Sequence, residues 1–363
     1  MDEFAYKQDC LQALLVEKKL DALLLTRVSS FAWATCGGAS YVALTSGDGV
    51  ASLLITPGGR YVLTNNIEAQ RLQDEAHLAG QGWRIEAEPW FASGAALPRL
   101  ANGLRLGSDS AIPGTVDLSV EMARLRSRLT APEGERFRRL GRRCAEAMQA
   151  LLPTIQPGQT ERQIAARLSY EAELRGVQPV ALMVAADERI FSYRHPLPSD
   201  RAMQQYVMVI LCGRSDGLIA SLTRCVYFGR LPDDLRRKMH AAAEIDAHML
   251  AATRPGSSLG DVFAAAQQAY ARAGWPDEWR LHHQGGSAGY EPREFVAVPG
   301  SPEPVIAGQA FAWNPSICGV KSEDTILVGD EQAELLTGMP DWPVLPVIVG
   351  DQVFERPAVW ERD

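Results

Sequence analysis

Around residue 130 the chain changes character, and that break constrains the fold more than any other feature. Before it, short elements alternate. Leu11, Leu14 and Leu15 give Phe4–Lys19 helical spacing, and Ala22–Thr26 is strand-like. Ser52–Thr56 and Arg60–Thr64 flank Pro57-Gly58-Gly59, which predicts a β-hairpin, and Asn66–His77 returns to a helical pattern. After the break, Thr130 offers an N-cap, Pro132 suits a first turn, and Glu133 and Glu135 complement the positive helix end. Phe137, Leu140, Ala145, Met148 and Leu151 then form one apolar stripe. The reading is an α/β unit over residues 1–128 and a second unit over 129–363. At roughly 100–200 residues per domain, 363 residues suffice for two cores.

The second unit mixes helices and strands. Thr160 caps a helix over Ile164–Leu174 that ends at Gly176, and further helices are expected over Asp233–Arg254 and Leu259–Ala273. Val207–Gly213 and Leu218–Tyr227 flank Arg214-Ser215-Asp216-Gly217, a hairpin in which Asp216 is a turn residue.

Charge narrows the function classes. With 44 acidic and 36 basic side chains, the chain carries −8, so no nucleic-acid partner is expected. The densest basic run, Arg136 to Arg143, reads as a solvated or subunit-facing helix surface. The start, MDEFAYKQDC, lacks an apolar core, and no apolar run approaches the ~18–20 residues of a membrane span. A cytoplasmic protein with no membrane partner is the expectation. Six scattered cysteines without a CxxC argue against disulfides and cysteine zinc sites.

Six histidines remain as candidates for proton transfer near neutral pH. His77, His240 and His248 fall on predicted helices among charges and read as surface. His195, in Tyr193-Arg194-His195-Pro196, and the pair His282-His283, before Gln284-Gly285-Gly286, fall at strand ends or loops. The glycines would let backbone approach a ligand, and Tyr290, Glu291, Arg293 and Glu294 follow. Phe311–Pro315 and Lys321–Thr325 read either as two strands with solvated polar residues or as walls of a pocket holding Asn314 and Glu323.

Taken in order over residues 130–330, these segments resemble the pita-bread superfamily: methionine aminopeptidase, Xaa-Pro aminopeptidase, prolidase and creatinase. Ile155–Glu161 resembles its pre-helix turn, and His195 falls where the family has a substrate-side histidine. Ser221-Leu222-Thr223-Arg224 is similar to its Asp-x-Thr-Arg strand, and His282–Gly286 to its Gly-His-Gly-x-Gly. Trp313-Asn314-Pro315 is similar to its Glu-Pro-Gly, and Ser322–Thr325 to its last ligand motif. Residues 1–128 resemble the N-terminal domain of the creatinase–prolidase branch. The resemblance implies an α/β N-terminal domain plus an α+β pita-bread C-terminal domain, and a symmetric homodimer.

The departures shape the functional expectation. The family's peptidases bind two metal ions through two aspartates, a histidine and two glutamates; the matching positions here are Leu211, Ser221, His283, Asn314 and Glu323. Three carboxylates are missing, so no dinuclear metal and no cofactor is expected. Asp216, Glu291 and Asp324 are substitutes to consider, although Asp324 should point away from Glu323 on a strand. Creatinase, in the same superfamily, hydrolyses a C–N bond of a small guanidino compound without metal. That resemblance implies a metal-independent hydrolase of a small amino-acid-like substrate, with His195, His283 and Glu323 catalytic and Glu323 raising the pKa of His283. Arg224, Tyr290, Arg293, Glu294, Asn314, Ser221 and His282 are then the expected substrate contacts, with Trp279 and Trp313 either facing a cation or packing in the core. Two alternatives stay open: a metal-dependent Xaa-Pro aminopeptidase or dipeptidase, and an inactive binding protein on the same scaffold.

Overall fold

Chain contacts divide the protein into Met1–Pro132 with Asp216–Leu218, and Glu133–Ser215 with Ile219–Asp363. The computed structural model describes residues 2–76 and 78–363; the expectation for His77 lies outside the described residues.

In the first unit, the apolar run Ala22–Leu25 is buried at the centre of a mixed sheet. The strand order is Arg84–Glu88, Gly59–Asn65, Asp48–Thr56, Ala22–Arg27, Leu106–Ser108 and Val116–Asp117. Asp48–Thr56 and Gly59–Asn65 form the expected hairpin, with Ser52 opposite Leu63. Helix Glu3–Lys18 is capped by the Asp2 side chain and buries Leu11, Leu14 and Leu15.

The second unit contains helix Ala131–Leu151, which buries Phe137, Leu140, Cys144, Met148 and Leu151, spaced three or four apart. Each fully buried large side chain contributes about 1.5–3 kcal/mol relative to exposure. Capping boxes fix the starts of helices Glu161–Glu173 (Thr160 with Gln163) and Leu259–Arg272 (Ser258 with Asp261). Strands Tyr206–Ser215 and Leu218–Phe228 are joined through Asp216 and Gly217, both at positive φ (51° and 80°), the conformation a two-residue hairpin turn demands. They form a four-stranded sheet with Gln178–Ala186 and Trp360–Arg362. A second, antiparallel sheet orders Phe295–Val296, Gly285–Ala288, Ala310–Trp313, Asp324–Val328 and Ala333–Leu335. Its core includes Ile245, Met249, Phe263, Phe311 and Ile326. Trp313 belongs to that core: it stacks on Phe311 at 5.5 Å and donates to Thr253 Oγ1 at 2.9 Å. Trp279 packs edge-on against Phe263 at 5.5 Å and carries the Arg280 guanidinium over its ring at 4.4 Å.

A chain of buried ion pairs ties this sheet to the rest of the unit. Arg224 Nη2 meets Asp324 Oδ1 at 2.8 Å, and Arg356 bridges Asp324 Oδ2 at 2.7 Å and Asp246 Oδ2 at 2.8 Å. Ser322 Oγ donates to Asp246 at 2.5 Å, and Thr337 Oγ1 to Asp324 at 2.7 Å. The substrate contact expected of Arg224 is therefore corrected: its guanidinium is 2% exposed and neutralises Asp324. Among the described residues no helix is long and apolar enough to cross a membrane, and all six cysteines are free thiols.

Candidate active site

The site grows out of strand register. Trp313 pairs with Gly285 on one side and with Asp324 on the other. One residue further, Asn314 N donates to Gln284 O at 3.1 Å, and the same register sets Asn314 beside Glu323. Because successive side chains alternate, Trp313 and Asp324 enter the core while Asn314 and Glu323 share the opposite face. Gly285 and Gly286 serve this packing rather than a ligand: a Cβ on either would run into the carbonyl of Ala312 or of Phe295.

Three imidazoles converge from two loops. His195 follows helix Glu188–Ser192, and His282-His283 follow the turn Glu278–Leu281. The Nε2 atoms of His195 and His282 lie 3.1 Å apart, and nitrogens of all three rings lie within 4.8 Å of one another. His282 is buried, whereas His195 and His283 are exposed.

Glu323 is 2% exposed and heavily engaged. Its carboxylate accepts Thr223 Oγ1 at 2.5 Å, Lys321 Nζ at 2.8 Å and Arg293 Nη2 at 3.3 Å. Burial alone would raise its pKa, but Lys321 and Arg293 more than offset this and hold it at about 2. The imidazoles move the same way for a different reason. Burial, then Arg293, His195 and Lys321, push His283 down to about 4. Burial, then Lys321 and the other two histidines, push His282 to about 2, and burial and Lys321 lower His195 as well. At neutral pH the site holds three neutral imidazoles, one carboxylate and two cations. As expected, the Glu323 carboxylate acts to raise the pKa of His283, but it is the smallest influence there: burial, Arg293, His195 and Lys321 outweigh it, so the net shift is downward.

Other expected contacts lie elsewhere. Tyr290 OH donates to the buried Glu133 at 2.7 Å, and Glu294 Oε1 accepts the backbone N–H of Tyr290 at 3.0 Å and of Glu291 at 3.2 Å, so both are engaged with the chain itself. Ser221 is buried between Thr325 and Cys212, with Oγ 3.2 Å from Cys212 Sγ. His282 turns a ring nitrogen to His195. Arg293 and Asn314 do reach the site: Arg293 through Glu323, Asn314 as a buried side chain whose Oδ1 has no hydrogen-bond partner among the described residues. Lys321 and Thr223 complete the site without having been assigned a role from sequence. The signal for Lys321 was its position two residues before Glu323, which puts both on one face of an extended chain.

The donor set does not fit two divalent ions. Leu211 and Ser221 supply no anionic oxygen, Asn314 supplies one neutral oxygen, and the Glu323 carboxylate already compensates two cations. Lys321 also acts on all three imidazoles and Arg293 on His195 and His283, where a further dication would meet net positive charge.

Residues 135–330 match the model of metallopeptidase family M24. This chain belongs to that family. It is 31% identical over 154 residues to the agropine synthesis cyclase of Rhizobium rhizogenes, covering 39% of each chain. It is 26% identical to an uncharacterized peptidase of Staphylococcus saprophyticus (62% of this chain, 66% of the relative) and 24% identical to the Xaa-Pro dipeptidase of Pyrococcus furiosus (53% and 58%). The match therefore spans from about two fifths to just under two thirds of these relatives. Solved structures share the fold over nearly the whole chain. The prolidase of Pyrococcus horikoshii superposes with a TM-score of 0.79 at 18% identity (92% of this chain, 98% of that one). The X-Pro aminopeptidase of Thermotoga maritima gives 0.77 at 16% (98% and 99%), and the N-terminal domain of the chickpea FACT complex subunit SPT16 gives 0.71 at 12% (93% and 97%). The M24 chain has the prolidase-like architecture: an α/β N-terminal domain and a pita-bread C-terminal domain.

Proposed function

We propose that this M24 chain hydrolyses a C–N bond of a small amino-acid-like compound without a dinuclear metal centre. One observation carries the reading: Glu323, at a family ligand position, is neutralised by two side-chain cations beside three neutral imidazoles. Neutral His283 draws a proton from water as the hydroxyl attacks, and the imidazolium returns that proton to the leaving nitrogen. His195 works from the other side of the scissile bond, its ring centroid 5.6 Å from that of His283. Arg293 and Lys321 hold the substrate's carboxylate, and Glu323 fixes both cations. The Xaa-Pro dipeptidase relative supports C–N cleavage, and likeness to the creatinase–prolidase branch supports a symmetric homodimer, which light scattering at micromolar concentration tests.

The cyclase relative, at 31% identity, favours one second reading: ring closure, with the nucleophile on the substrate in place of water. The fold alone decides nothing between these, since a FACT complex subunit carries it too. Dipeptides, N-acyl amino acids and guanidino acids, incubated with the purified chain and followed by mass spectrometry, separate the readings. Gain of one water, undiminished by a chelator, is the expected outcome. Loss of one water supports ring closure, chelator-sensitive cleavage supports a metallopeptidase, and no conversion across the panel supports a binding role.

A further inference from the structure

Where the family's Gly-His-Gly-x-Gly pattern has its first glycine, this chain has His282, and that side chain is not free to meet a ligand. It is 8% exposed and lies between Ser316 and His195: Nδ1 is 3.4 Å from Ser316 Oγ, and Nε2 is 3.1 Å from His195 Nε2. Ser316 Oγ in turn lies 3.3 Å from Arg194 Nη1, and Arg194 is anchored by Glu278 at 2.5 Å.

Direction along this chain follows from the chemistry of its first member. A guanidinium only donates, so Ser316 Oγ accepts from Arg194. Ser316 is 3% exposed, and its hydroxyl hydrogen needs an acceptor; among the described residues the remaining polar neighbour of that oxygen is His282 Nδ1. With Nδ1 accepting, neutral His282 carries its hydrogen on Nε2 and donates it to His195 Nε2. His195 Nε2 is then an acceptor, and the hydrogen of neutral His195 must sit on Nδ1.

We infer that His282 is a positioning residue: the relay Arg194–Ser316–His282 locks His195 in its Nδ1–H form, so that His195 serves the site as a hydrogen-bond donor to developing negative charge and not as the base. The base is then His283 alone. This assignment rests on the acid–base reading above and gives the two exposed histidines different jobs. A neutral imidazole donor of this kind stabilises an oxyanion without carrying a charge of its own.

Long-range proton–nitrogen NMR correlation on the full-length ¹⁵N-histidine-labelled chain tests it without any substrate, His195 being assigned by loss of its signals in His195→Gln. Expected is a single Nδ1–H pattern for His195 in the unmodified protein. Ser316→Ala removes the donor to His282 and should replace that single pattern with a mixture of both tautomers; His282→Phe, which removes the donor to His195, should do the same. An Nε2–H pattern in the unmodified protein overturns the inference, as does an unchanged Nδ1–H pattern in a folded variant. So does a stoichiometric shift of both ring nitrogens on adding zinc, which would make the cluster a metal site. The unmodified protein alone decides the tautomer if neither variant folds. Because no turnover is read, an Nδ1–H result with no C–N hydrolysis sinks the hydrolase reading only, and the reverse result sinks the relay only.

Discussion

The short stretch Lys321–Asp324 has two faces, and they are built on opposite rules. On one face Ser322 and Asp324 join Arg224, Arg356 and Asp246 in a buried cluster of two arginines and two aspartates, in which Asp324 and Arg356 are each paired twice. On the other face Lys321 and Glu323 join Arg293, so that two cations share one carboxylate, and Asn314 Oδ1 and Arg293 Nε have no partner among the described residues. The first face is electrically closed and is a structural clamp. The second keeps a surplus of positive charge and hydrogen-bonding capacity, which costs stability unless something else uses it. Strand alternation lets one segment of sequence carry both.

The largest effect should come from the imidazoles on the open face. His283→Gln and His195→Gln should each cut turnover by about 10²–10⁴-fold while leaving the denaturation midpoint close to that of the parent. Glu323→Gln should lose most turnover too, by releasing the two cations it holds. Near-parental rates in both histidine variants would move catalysis elsewhere. The closed face should respond in the other currency: Asp324→Ala leaves Arg224 and Arg356 buried with fewer acceptors, and urea unfolding should show a loss of about 3–5 kcal/mol.

Acid sharpens the contrast further. An unfolded histidine binds its proton near pH 6.5, but folded His283 does so only at about 4 and His282 at about 2. The neutral imidazoles therefore favour the folded state fully above pH 6.5, and that contribution is lost as pH falls through 6.5 toward 4. His282→Phe should flatten the pH dependence of stability over that window by about one proton, roughly 1.4 kcal/mol per pH unit. On the activity side, the acid limb of kcat/KM should fall near pH 4; a limb near 6.5 would mean a solvated base. Smallest of all, Lys321→Met leaves one guanidinium facing one carboxylate, so its thermal midpoint should shift by less than about 1 kcal/mol equivalent. A penalty as large as that of Asp324→Ala would erase the distinction between the faces.

What was legible in the sequence follows the range of the forces involved. The hairpin turn at Asp216-Gly217 and the capping box at Thr160 are written in adjacent residues, because backbone conformation and N–H satisfaction are local problems. The architecture was legible through an ordered series of segments. Side-chain partnerships were not: Tyr290 meets Glu133 across 157 positions, Arg224 meets Asp324 across 100, and His195 meets His282 across 87. Tyr290, Arg224 and His282 are polar and lie near a motif, so each looked like a substrate contact until the fold supplied its neighbour. Lys321 shows the converse. Its alternation with Glu323 was in plain view, but nothing local said that Glu323 would be buried and would need cations.

That pairing has a consequence for how the protein comes to be ready for work. A cation supplied by a lysine or an arginine is delivered by translation, in a fixed ratio to the carboxylate it faces. Folding alone brings Lys321 and Arg293 to Glu323, with no loading step for either of these two cations. The electropositive centre of this site is as heritable, and as permanent, as the peptide bond that carries it.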